Sequence, residues 1–134
     1  MSNRMLSISP SIDYGITGTP KELRSLYFFS SETVPQLSGV FGSSFWKKSI
    51  LQTSRYEPAV KHAAIALGAF HENATFENND SRDKDSRLFA AEHYLKAISY
   101  LVKSDKPQTL DVYLMTCAMF ICFEVMLLRP VLVH

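Results

Sequence analysis

Four histidines, two cysteines and a scatter of carboxylates are the side chains here that could hold a metal, move a proton or attack a carbonyl. His71-Glu72 begins like the zinc-protease pattern, in which a second histidine one turn later shares the metal. Thr75 stands where that histidine is needed. No glutamate lies three residues before a histidine, so the di-iron bundle pairing is absent too. His62, His71 and His93 fall on two predicted helices and His134 ends the chain. Without a ligand pattern they read as structural residues, on the surface or partly buried. Cys117 and Cys122 lie five positions apart on a predicted helix and point in different directions, so that helix cannot join them as a disulfide or metal pair. In their apolar run both read as small buried hydrophobes, and Cys117, the candidate nucleophile, is expected to be inert there. Gly15 and Gly18 are too few for a phosphate loop and lack its Lys-Ser. The residues assign no catalytic, cofactor-binding, metal-binding or DNA-binding site, and the expectation is a protein that is not an enzyme.

The elements that would position these side chains are helices. Thr19 is a good N-cap, Pro20 takes the first helical position and Glu22 completes a Thr-x-x-Glu capping box. Leu23, Leu26 and Tyr27 give this helix its inward face, extended by Phe28 and Phe29, and Ser30, Ser31 and Pro35 close it. A short helix follows from Phe45 to about Gln52, capped by Ser43 or Ser44, with Trp46 as core anchor. The third helix opens at Pro58 and carries Val60, Ala63, Leu67 and Phe70 three and four residues apart. Small or apolar residues occupy most of its circumference, which marks it as central. Ala66 and Gly68 should sit at close helix contacts. Residues 72–86 read as a polar connection. The next helix places Leu88, Ala91, Leu95, Ile98 and Val102 on its buried face, with Glu92 and Lys96 as an exposed pair.

Pro107 opens the last helix, which carries no charge from Val112 to Phe123 and is interrupted by Glu124. The apolar stretch from Val112, extended to Leu128, is 17 residues long and falls short of the about twenty a membrane span normally needs, so it reads as part of a core helix. No strand alternation is convincing anywhere. The fold class is therefore all-α, an antiparallel helical array of about five helices. Residues 1–18 read as a mobile N-terminal arm, 19–129 as the helical domain and 130–134 as a C-terminal tail.

Composition narrows the function classes. At 46% apolar and 20% charged residues the chain is folded, and 134 residues suffice for one domain with a real core. A net charge of +1 and a single adjacent basic pair, Lys47-Lys48, argue against specific DNA binding, which calls for a basic stripe. The N-terminus has no apolar run suited to a signal peptide, so an intracellular location is expected. The sequons at Asn73 and Asn79 then read as chance matches.

One stretch is more specific. From Pro35 to Glu72 a turn with Pro and Gly, a short aromatic helix at Phe45-Trp46, an extended loop and a small-residue helix opening at Glu57-Pro58-Ala59 succeed one another. With Phe89-Ala90-Ala91-Glu92-His93-Tyr94 and Tyr113-Leu114-Met115-Thr116-Cys117, this order resembles the opening helices of the regulatory region of fungal zinc-cluster transcription factors. The resemblance covers roughly residues 19–124. It implies a non-catalytic, nuclear, regulator-like domain that acts through protein contacts, with no motif to identify a small-molecule effector.

Such factors bind DNA through six cysteines holding two zinc ions, and nothing of that kind precedes Thr19. Residues 125–134 also depart from the helices expected next. The chain therefore reads as the N-terminal part of a larger helical domain. Part of the surface of Tyr113, Met115, Met119, Phe120, Phe123, Met126 and Leu127 should lie open and favour self-association. The alternative is a small membrane-associated protein anchored by the helix at 110–128.

Overall fold

The computed structural model describes residues 15–39, 42–75, 81–103 and 108–133, and every regular element among them is helical. Helix α1 starts where the capping box sets it. The Thr19 hydroxyl accepts from the Glu22 N–H at 3.1 Å, and the Thr19 N–H donates to Glu22 Oε1 at 3.0 Å. The α-helical stretch Pro20–Phe28 does not stop at the serines. It passes through a π-helical turn, Phe29–Thr33, into a last turn, Val34–Leu37. In a regular α-helix the ring of Pro35 would press on the carbonyl one turn back. The wider turn just ahead of it carries the helix past the proline. Leu26 and Phe29 are buried and Leu23 partly so, whereas Tyr27, expected inside, is about half exposed.

Helix α2 spans residues 45–53, a π-helical stretch Phe45–Ile50 followed by Leu51–Thr53, and Ser44 at its N-cap makes no side-chain capping bond. Trp46 is fully buried, edge-on to Phe45 and Phe29 with centroids 5.0 and 6.4 Å away. Helix α3, Pro58–Thr75, is central and touches each of the other four helices; α4 is Ser81–Val102 and α5 is Leu110–Val133. Ala66 and Gly68 are both buried. A Cβ on Gly68 would run into the Ser25 carbonyl and lie 2.9 Å from Phe29 Cβ, so glycine sets the closest approach of α1 to α3.

The polar stretch after Glu72 is shorter than expected, because α3 continues to Thr75 and α4 begins at Ser81. It holds no Gly or Pro to break a helix, and acidic residues favour a helix's first turns. Helix α4 also turns a different face inward. Leu88, Ala91, Leu95 and Val102 are exposed, while Ala90, His93 and Ala97 are buried and Phe89, Tyr94 and Leu101 partly so. Two apolar stripes overlap on this helix. The one with two alanines nests against the small residues of α3, and the leucine stripe is too bulky for that approach.

Two boundaries shift as well. The N-terminal arm lies outside the described residues up to position 14, and Ile16 beyond it is buried in the core. At the other end α5 remains helical to Val133, through the expected tail. Pro107 falls outside the described residues. The Thr109 carbonyl accepts from the N–H groups of Val112 and Tyr113 in the first turn of α5, at 3.1 and 3.2 Å.

Candidate functional site

The polar residues with chemical potential meet where α1, α3 and α4 adjoin. Glu22 comes from the first turn of α1, His62 from the first half of α3 and His93 from the middle of α4. One donor atom from each lies within 4.8 Å of the other two. His93 Nε2 is 2.9 Å from Glu22 Oε2, with side chains only 4% and 13% exposed. On its other edge Nδ1 lies 3.1 Å from the Phe89 carbonyl, which can only accept, so Nδ1 donates there. Glu22 thus serves twice. Oε1 holds the helix cap and Oε2 holds His93. Burial by itself pushes the Glu22 carboxyl up, but the bonds from His93 and the Thr19 N–H outweigh it and hold it below the ordinary value.

His62 lies between His93, at 5.1 Å between ring centroids, and Tyr100, stacked on it at 5.5 Å and 2°. Burial, aided by His93 and Lys61, pushes its imidazole down to about 4, so it is neutral at physiological pH. Its Nδ1 is buried without a hydrogen-bond partner. The three described histidines are thus all buried, more deeply than expected, and His134 falls outside the described residues. The sequence displays no sign of this grouping, because each residue comes from a different helix. The one available signal was that alanines stand within one turn of both His62 and His93, Ala63 and Ala66 on one helix and Ala90 and Ala97 on the other.

The third histidine serves a different place. His71 Nδ1 pairs with the Thr33 hydroxyl at 2.8 Å, just where the π-helical turn swings Thr33 inward. Beside it an open cleft of about 480 Å³ runs between α1 and α3, lined by Tyr27, Phe28, Gln36, His71 and the Arg24–Glu72 ion pair at 2.6 Å.

Helix α5 carries a row of exposed apolar side chains. Its inner side, Val112, Thr116, Met119, Cys122 and Phe123, is buried, with Phe123 against Phe70 at 4.8 Å. Leu110, Leu114, Cys117, Ile121, Val125 and Leu128 are exposed along the opposite side. Of the surface expected to lie open, Tyr113 and Leu127 are exposed, but two expectations are corrected. Met119 and Phe123 are not open but buried, and Met115, Phe120 and Met126 are partly covered. Cys117 is exposed, while Cys122 is buried and its thiol raised by that burial. Twelve-odd residues without a charge mark an apolar helix but not which side of it the core takes.

The family model for the fungal specific transcription factor domain matches residues 24–128. The chain belongs to this family. The match runs from the first turns of α1 to the last exposed leucine of α5, and so includes the cleft, His62, His93 and the open α5 face. No curated protein and no solved structure matches the chain. Family membership makes the chain transcription-regulator-like, as the order of motifs from Pro35 onward implies.

Proposed function

We propose that the domain works without catalysis, in the nucleus, through contacts with protein, and that the outer face of α5 makes them with a second copy of this chain. The exposed strip carries this reading. From Leu110 to Leu128 it is about 27 Å long at the helical rise, with apolar side chains every three or four residues. A strip of that spacing is complementary to itself across a two-fold axis. The one carboxylate near its end, Glu124, is drawn toward α4 by the Tyr94 hydroxyl at 2.8 Å. Specific DNA binding is not part of the proposal, since the charge is near balance.

Anchoring in a membrane is the second reading, because Leu110–Leu128 is long and apolar enough to cross one. Extraction into lipid would strip Phe70 and Tyr94 of their partners on α5, which favours the protein contact. Sedimentation of the parent chain and of a Leu114→Lys/Ile121→Lys variant tests the choice. The parent should associate with rising concentration and the variant should stay monomeric. A compact, dye-negative parent monomer at micromolar concentration rules the contact out. Retention in carbonate-washed membranes would select the anchor. Tethered to a heterologous DNA reader, the parent should alter reporter output and the variant should not.

A further inference from the structure

We propose that Glu22, His62 and His93 form a binding site for a divalent transition-metal ion, zinc in the first place. Two imidazoles and one carboxylate are a donor set that zinc takes up with a fourth position left open. Bonds of about 2.0–2.1 Å to a tetrahedral ion place its ligand atoms a little over 3 Å apart. In the structure one pair stands at 2.9 Å and none exceeds 4.8 Å, so the three groups need to draw together by no more than about 1.5 Å to close on an ion.

The groups behind the ligands are those that orient metal ligands elsewhere. The bond from His93 Nδ1 to the Phe89 carbonyl turns Nε2 toward Glu22. The Thr19 N–H fixes the second carboxylate oxygen, and Tyr100 clamps the His62 ring. The unpartnered nitrogen of His62 is the second, independent pointer. The residue is 92% buried, and a buried polar atom left unpaired is costly unless something binds it. Metal bound here takes the place of the proton shared by His93 Nε2 and Glu22 Oε2, and that proton goes to solvent. Tyr100 is 44% exposed, so the site lies one side chain from water, and the charges of Lys61 and Lys96 act on His62.

Zinc titration of the parent chain, read by proton–nitrogen correlation of the histidine rings, tests the assignment without any substitution. At one equivalent the ring nitrogens of both His62 and His93 should move to metal-bound positions, while those of His71 and His134 stay. Glu22→Gln and His62→Gln, each checked for helical content, should weaken zinc binding by roughly tenfold or more. Rings of His62 and His93 that do not move overturn the site, as does zinc taken up at His71 or His134 in their place. Undiminished affinity in both variants overturns it equally.

Discussion

Gly68 is the residue on which the arrangement of the first and third helices turns. Alanine in a helix interior normally gains about 0.5–1 kcal/mol over glycine. Here the added methyl would strike the Ser25 carbonyl, so Gly68→Ala should instead destabilise by about 1–3 kcal/mol in denaturant unfolding. A gain in stability would mean that α1 and α3 do not approach as described. Ala66→Leu, at a fully buried position, should lose a similar amount. Tyr94 offers a test by pH. Burial and the bond to Glu124 raise its phenol to about 12 from an ordinary value of 10. The folded state therefore keeps this proton longer than the unfolded chain. Its contribution to stability is complete below pH 10 and is lost as the pH rises through about 12. In a spectroscopic tyrosine titration one phenol should ionise late, and Tyr94→Phe should remove that late step.

Helix α4 carries the clearest lesson at the level of elements. Its period was legible in the sequence, but its orientation was not. Two stripes three and four residues apart share the helix, and the periodicity of either satisfies an amphipathic pattern equally well. The size of the side chains at the α3 contact breaks the tie in favour of Ala90 and Ala97. Ala97→Leu should accordingly cost about 1–3 kcal/mol by overpacking, whereas Leu95→Gln on the exposed side should stay within about 0.5 kcal/mol of the parent. Thermal melts of the two variants decide between the stripes. The π-helical turn at Phe29–Thr33 was equally hidden, since serines and a proline signal an end to a helix as readily as a widening of it.

For the whole molecule, the exposed side of α5 is the feature on which the proposed contact between copies rests. Its two cysteines serve as reporters, one on each side of the helix. In the native dilute protein a thiol reagent should modify Cys117 and spare Cys122, with both reacting once the chain is unfolded. If two copies pair along α5, protection of Cys117 should grow with protein concentration. Equal reactivity of the two thiols in the native state would mean that α5 is rotated from the position described.

The sequence by itself determined the all-α class, the start of α1 at its capping box, the central place of α3 and the family. Each of these rests on local pattern or composition: a cap, a proline, a helix apolar all round, an order of motifs. Only the tertiary structure decided which side of α4 and α5 meets the core, and that Cys117 faces out. It alone brought Glu22, His62 and His93 together. Those outcomes depend on how closely helices cross, which is set by residues such as Gly68 and Ala97 acting on partners far away in the chain. A spacing within one helix does not contain that information, because packing is decided by both surfaces at once.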